Sequence, residues 1–399
     1  MSQVVYIALA EALSAPEVVW SLADAGFEVV AFARRGRPSA VRHSRYVRVI
    51  EVAPPETDFE ATLSEIKSHL ASSRDASSTP VLLPLDDTAL WLCSQLAGEG
   101  GCIVASPSGC QAELALDKWR QVREAERAGL RVPETFLAQS AEDVVGRRRT
   151  FPLVLKSARA VTHRNGRVER RRRWVCGDER ELERALSDWG GAFPVLVQPF
   201  IRGTGEGIFG LATRDGIRAW SAHRRLRMMN PAGSGSSACV STPLPPPLRP
   251  AVEEFIRHAG WQGLFMVELL RDDHGTEWFM ELNGRTWGSM ALSRRQGFEY
   301  PAWVVRQALH TDLAAAFPEE AAQPVVCRNA GRELMHLLFV LRGPRSRAFT
   351  EWPRFWGALI EVLRVRSNDS FYNWRRDDKR VFLSDCWRTV WDQVLKPKD

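Results

Sequence analysis

Lysine is scarce in this chain of 399 residues. Of the 54 basic residues only six are lysines, which leaves 48 arginines. Between Lys67 and Lys379 the chain keeps only Lys118 and Lys156. A coding bias with chance survivors explains this; the alternative is that both positions need an ammonium. Cysteine is also sparse. The seven residues, Cys93, Cys102, Cys110, Cys176, Cys239, Cys327 and Cys386, form no C-x-x-C pair. That argues against a zinc ribbon or dithiol motif and suits a reducing compartment. The histidines show no H-x-x-x-H pair and read as ordinary, and no Ser/His/Asp order stands out, so a hydrolase triad has no support. No apolar run approaches the roughly 18–20 residues that span a bilayer. The opening MSQVVYIALAEAL lacks a basic n-region and carries acidic Glu11 where a signal peptide would stay apolar. It reads as a first strand, and the expected location is cytoplasmic.

The composition is that of a folded protein, 45% hydrophobic and 26% charged. Net charge is +6. That permits nucleic-acid contact, yet phosphorylated ligands also favour basic clefts, and no nucleic-acid motif is recognised.

Strands and helices alternate through the first 106 residues. Strands at 3–10, 27–33, 46–52, 80–85 and 102–105 are separated by helical patterns at 16–26, 57–70 and 87–97, which implies a parallel sheet. No G-x-G-x-x-G follows the first strand, so a dinucleotide site there is unsupported. Residues 107–318 mix strands and helices. A helix at 110–129 carries Lys118, and the strand FPLVLKS ends near Lys156. Residues 163–173 read as a hairpin around Asn165–Gly166. The run Arg170–Arg173 reads as its solvated face or as an anion contact. Gly205-x-Gly207-x-x-Gly210 formally matches a nucleotide fingerprint, but β-rich IFGLAT follows it, so it reads as a strand–turn–strand corner. From 319 to 399 the chain is basic, aromatic and helical in pattern.

The strongest chemical signal is the segment 263–289. Two apolar strands flank a turn, taken as two residues centred on His274–Gly275. Glu268 and Glu281 then face each other directly. Opposed like charges destabilise a sheet and raise each other's pKa. A divalent cation removes the conflict. Period 2 places Asn283 and Arg285 on the face of Glu281. Two carboxylates and an amide oxygen suit Mg²⁺, with Mn²⁺ an alternative, held jointly with nucleotide phosphates. The competing reading is an exposed acidic face paired with arginines. Small residues in NPAGSGSSACVST (230–242) suit backbone contact with phosphate, or a plain linker. Arg224, Arg225 and Arg227 adjoin that loop. Asp86 and Asp87 end a strand, where they cap a helix or meet a substrate.

Together these residues resemble the ATP-grasp superfamily, in particular carboxylate–amine ligases and the carbamoyl-phosphate synthase large chain. The resemblance runs from Pro84-Leu85-Asp86-Asp87-Thr88 through DKW (117–119), FPLVLKS (151–157), VQPFIRGTGEG (197–207) and the GSGSS loop to ELNGRTWGS (281–289). It implies a pre-ATP-grasp parallel-sheet α/β domain (1–106), an ATP-grasp domain of two α+β subdomains (107–318) and a helical, Trp/Arg-rich extension (319–399). It implies an ADP-forming ligase that activates a carboxylate as an acyl phosphate for attack by an amine; the alternative is a non-catalytic nucleotide-binding module. By resemblance, Lys118 and Lys156 contact ATP phosphates, and Gln198, Pro199, Phe200 and Ile201 border adenine. Glu206, Gly233, Ser234, Gly235 and Ser236 join the nucleotide site. Glu268, Glu281 and Asn283 hold magnesium, and Arg285 meets the transferring phosphoryl group. Two departures stand out: Pro199 lacks an N–H in the hinge, and Gly284 replaces a usual proline. The implied partners are a small carboxylate and an amine, with no nucleic acid. A homodimer and a weak membrane-surface contact through Trp352, Phe355, Trp356, Leu359 and Leu363 stay open beside a plain packing role for that helix.

Overall fold

The computed structural model of the chain describes residues 3–73, 79–98, 101–147, 150–169, 172–313, 317–318, 323–367 and 369–395. The first layer is a parallel sheet of β1 (Val4–Ala8), β2 (Glu28–Arg34), β3 (Arg48–Val52), β4 (Val81–Pro84) and β5 (Ile103–Val104), in the order β3-β2-β1-β4-β5. Its inner strands are apolar on both faces, as a sheet covered by helices on both sides requires. The strand ends converge on Arg34, which is buried. It pairs with Glu11 at 2.8 Å, Glu56 at 3.1 Å and Asp86 at 3.3 Å. Glu11, out of place in a leader, is thus a partner of a buried guanidinium.

A second sheet joins β6 (Phe136–Ala138), β7 (Leu153–Ser157), β10 (Arg173–Cys176) and β11 (Val195–Pro199), in the order β10-β7-β11-β6. The hairpin of β8 (Thr162–Arg164) and β9 (Arg167–Glu169) turns at Asn165 and Gly166, both with positive φ. That is the geometry a two-residue hairpin loop demands. Arg170 and Arg171 lie outside the described residues.

The third sheet contains β12 (Thr204–Thr213), β13 (Gly216–Met228), β14 (Ser236–Thr242), β15 (Gly263–Arg271), β16 (Glu277–Asn283), β17 (Val326–Arg328) and β18 (Asp369–Phe371). Its order is β16-β15-β12-β13-β14-β17-β18. The GxGxxG segment is not a corner: Gly205, Gly207 and Gly210 lie inside β12. A Cβ at Gly210 would stand 2.4 Å from the Phe265 ring, so close ring packing excludes a side chain there.

The C-terminal extension is helical but also supplies β17 and β18, and it touches every layer. Asp378 accepts from Trp20 Nε1 at 2.9 Å and Ser44 Oγ at 2.5 Å in the first domain. Arg347 N donates to Glu181 at 3.0 Å beside the four-stranded sheet. Trp352 donates to Val340 O, and Ala358 is the buried residue of the helix Phe355–Leu363. Trp356, Ile360 and Leu363 of the same helix point outward. Among the described residues no helix is long and apolar enough to cross a membrane.

One carboxylate clasps three parts of the molecule. Glu17 is 1% exposed and pairs with Arg294 at 2.9 Å and Arg295 at 3.3 Å, while accepting from Asn373 N at 3.2 Å. Removing one partner of a buried pair strands the other charges. Glu17→Ala is expected to lower unfolding free energy by about 3–5 kcal/mol, measured by denaturant titration.

Candidate active site

A cavity of ≈ 800 Å³ lies between the four-stranded sheet and the seven-stranded sheet. Its floor is a cross-strand row. Glu281 faces Glu268, Glu268 faces Gly207, and Gly207 faces His223. The carboxylate pair sits as the sequence implies, but by a different route. The turn has three residues, Asp273, His274 and Gly275, because Arg271 pairs with Glu277 and Asp272 N donates to Thr276 O. A one-residue bulge at Met280 then restores the register at Glu268 and Glu281. Gly275 has positive φ (82°), and the Asp272 carboxylate braces the turn through His274 N and Thr276 N.

Lys118 donates to Glu281, and Arg225 pairs with Glu268 at 2.8 Å. Asn283, two residues from Glu281 on the same face, donates its amide to Glu281 at 3.3 Å. Arg285 donates Nε to buried Asp87 at 2.9 Å. The neighbouring Asp86 caps the helix Asp87–Leu96 through Ala89 N and also pairs with Arg34. The two adjacent aspartates therefore cap a helix and steer Arg285. Gly284 has a steric reason. Any Cβ there, a proline's included, would lie 2.9 Å from ring carbons of Trp261.

The opposite wall carries Lys156. It lies beside Arg173 in the strand register of β7 and β10. Burial, reinforced by the Lys118 ammonium, holds the Lys156 ammonium down to about 7. Arg173 donates to the carbonyls of Ala232 at 3.3 Å and Gly233 at 2.8 Å, so it grips the Gly/Ser loop. Arg173, read from sequence as part of a solvated face or an anion contact, is exposed and also borders the cavity; strand pairing with Lys156 is the signal that finds it. Gly233, Ser234, Gly235 and Ser236 all line the cavity.

Gln198, Pro199, Phe200 and Ile201 form the hinge edge. Gln198 Nε2 donates to Thr135 at 2.7 Å and Phe200 N to Pro152 O at 2.9 Å, so these two donors are satisfied within the protein. Phe349 of the extension meets Phe200 edge-on at 5.3 Å. Glu206 is not brought to the cavity: successive strand residues face opposite sides, and Arg271 holds its carboxylate bidentately at 2.9 and 3.0 Å. Of the three arginines beside the Gly/Ser loop, Arg225 faces the cavity, Arg224 is exposed and Arg227 pairs with Glu333.

His223 is more than an ordinary core histidine. It lies in the cavity floor, 2% exposed, and neither ring nitrogen has a partner among the described residues. Burial and Arg225 push its pKa down to about 3, so it stays neutral, offering one donor and one acceptor. Sequence carries no mark of it. Nor does it mark Arg332, which reaches the cavity from the helix Ala330–Arg342 in the extension.

The carboxylate pair and amide are hard ligands that fit Mg²⁺. Among the described residues no group of three or more His, Cys, Asp or Glu is arranged to hold a metal ion by itself; phosphate oxygens would complete a shell begun by this pair and amide.

No protein-family model and no curated protein matches the chain. Solved structures do. An L-amino acid ligase from Bacillus licheniformis superposes with a TM-score of 0.61 at 18% identity, covering 79% of this chain and 76% of that one. An ADP complex of N5-carboxyaminoimidazole ribonucleotide synthetase gives 0.62 at 14%, covering 99% and 98%. The biotin carboxylase domain of Hydrogenobacter thermophilus 2-oxoglutarate carboxylase, with MgADP and bicarbonate, gives 0.60 at 17%, covering 78% and 71%. The chain has the ATP-grasp fold.

The Lys156 environment makes a pH prediction. Above about pH 7 the amine is largely neutral, and phosphate anions favour its ammonium. Nucleotide binding at pH 8 should therefore take up protons, approaching about one per site, and fewer at pH 6. Calorimetry of MgATP binding in two buffers of different ionisation enthalpy measures this. In Lys156→Arg, charged throughout, the buffer dependence should vanish.

Proposed function

We propose that the chain is an ATP- and Mg²⁺-dependent, ADP-forming ligase that activates a carboxylate for attack by an amine. The observation that carries this reading is the Glu268/Glu281 pair with Asn283 and Arg285 across the cavity from Lys156. The solved structures of this fold include an amino acid ligase and an ADP-bound synthetase, which supports the same class.

The chain's own groups fit the steps. Glu268, Glu281 and Asn283 would hold Mg²⁺, which when bound neutralises phosphate charge. Lys156 and Arg173 face the cavity from one wall and Arg285 from the other, so cations flank a phosphoryl group in transfer. A substrate carboxylate oxygen attacks the γ-phosphorus, and ADP leaves. The acyl phosphate carbon is then attacked by the amine, expelling inorganic phosphate and forming an amide. The Gly/Ser loop, gripped by Arg173, would shield the acyl phosphate from water. Asp87 keeps Arg285 aimed inward and itself touches no reacting atom.

A screen of carboxylic acids and amines for Mg·ATP-dependent ADP release tests the reading. Glu281→Gln should cut the rate by on the order of 10²-fold or more while the protein stays folded. A wild-type protein that binds MgATP but releases ADP with no substrate pair would identify a binding module.

A further inference from the structure

We propose that Arg332 is an anion subsite that holds a substrate carboxylate other than the one being phosphorylated. The inference rests on the ligase reading of the same cavity. It begins with charge. Three cationic groups around the carboxylate pair have acid partners: Lys118 has Glu281, Arg225 has Glu268 and Arg285 has Asp87. Arg332 forms no ion pair among the described residues. Its side chain donates once, from Nη1 to Ser236 O at 3.2 Å. It nevertheless lines the cavity, half-buried, on a helix that begins at a side-chain cap, Asn329 Oδ1 accepting from Arg332 N. Gly235 makes room for it: a Cβ there would lie 2.5 Å from Nη1.

Arg332 and Arg173 hold opposite ends of the Gly/Ser loop. Arg173 grips the Gly/Ser loop at Ala232 and Gly233, whereas Arg332 holds its far end at Ser236, where β14 begins. From the carboxylate pair the floor runs over Gly207 to His223, and beside it over Gly205 to Arg225. Both glycines are required: a Cβ at Gly205 would lie 2.7 Å from Arg225 Cδ, and one at Gly207 3.0 Å from His223 Nε2. The side chains of Arg225 and His223 lie down over this bare strip.

The polar atoms bordering the strip demand acceptors. Trp287, Arg225 and Ser289 line the cavity, and Trp287 Nε1, Arg225 Nε and Ser289 Oγ are buried without a hydrogen-bond partner among the described residues. Tryptophan and arginine groups are donors only. Buried donors call for an acceptor-rich ligand, and a planar guanidinium matches a carboxylate best. The anion has two chemical sources: a second carboxylate on the acyl donor, or the α-carboxylate of an amino-acid acceptor.

The test uses the full chain, as wild type, Arg332→Gln and Arg332→Lys. Monocarboxylic acids, dicarboxylic acids and amino acids are screened singly with hydroxylamine, which traps an activated donor as its hydroxamate, and in pairs for ADP release. The best wild-type pair should carry a carboxylate outside the bond formed, a result that needs no variant to fold. Arg332→Gln should raise the KM for that partner on the order of 10- to 100-fold, with MgATP affinity changed less than about twofold and Lys restoring part of the loss. A KM change seen with hydroxylamine assigns the donor; one seen only with an acceptor assigns the acceptor. A best pair lacking such a carboxylate overturns the proposal. So does an Arg332→Gln variant with unchanged KM values, or one that weakens MgATP equally. Wild-type protein that binds MgATP but turns over no pair sinks the ligase reading and this inference with it, a failure distinct from turnover indifferent to Arg332.

Discussion

Two carboxylates facing each other across one strand pair govern the rest of this structure. Glu268 and Glu281 are direct register partners between the edge strand β16 and its neighbour β15 in the seven-stranded sheet. Like charges so placed destabilise a sheet unless cations surround them. The surroundings answer that need from three separate places in the chain. Lys118 comes from the first turn of the helix Lys118–Arg127, Arg225 from β13, and Arg285 from the segment just past β16, held by Asp87 beside the parallel sheet. The site therefore exists only when all three regions are assembled.

Further ion pairs tie the layers together. Arg34 anchors Asp86, the adjacent Asp87 anchors Arg285, and Glu17 locks Arg294 and Arg295 beside the extension. The extension is part of this construction. It adds two strands, lends Phe349 to the hinge edge and Arg332 to the cavity. Glycine serves the site by absence: side chains at positions 205 and 207 would collide with Arg225 and His223.

Much of this was legible in the sequence where the physics is local. Alternating apolar strands and helices predict the first sheet, and Asn165–Gly166 predicts the hairpin of β8 and β9. Glu268 and Glu281 are placed opposite each other by hairpin arithmetic that holds for an unforeseen reason. The turn is one residue longer than expected, and the bulge at Met280 cancels the shift. Where the physics is non-local, the sequence is silent or misleads. Arg173 hides in an arginine run, and only its pairing with Lys156 brings it to the cavity. Glu206 sits in a nucleotide-like motif, but strand alternation carries it to Arg271. His223 and Arg332 have no motif, because their role depends on which strand and helix pack over the cavity. The scarcity of lysine does single out Lys118 and Lys156, and both line the cavity.

The central claim is that the opposed carboxylates form a cation site shared with a nucleotide. Free Mn²⁺, followed by its electron paramagnetic resonance signal during titration in the presence of ADP, tests it most directly. The account predicts Mn²⁺ uptake by the wild-type protein that requires ADP and weakens by at least about tenfold in Glu268→Gln and in Glu281→Gln. Uptake that is the same in the wild type and both variants would contradict it.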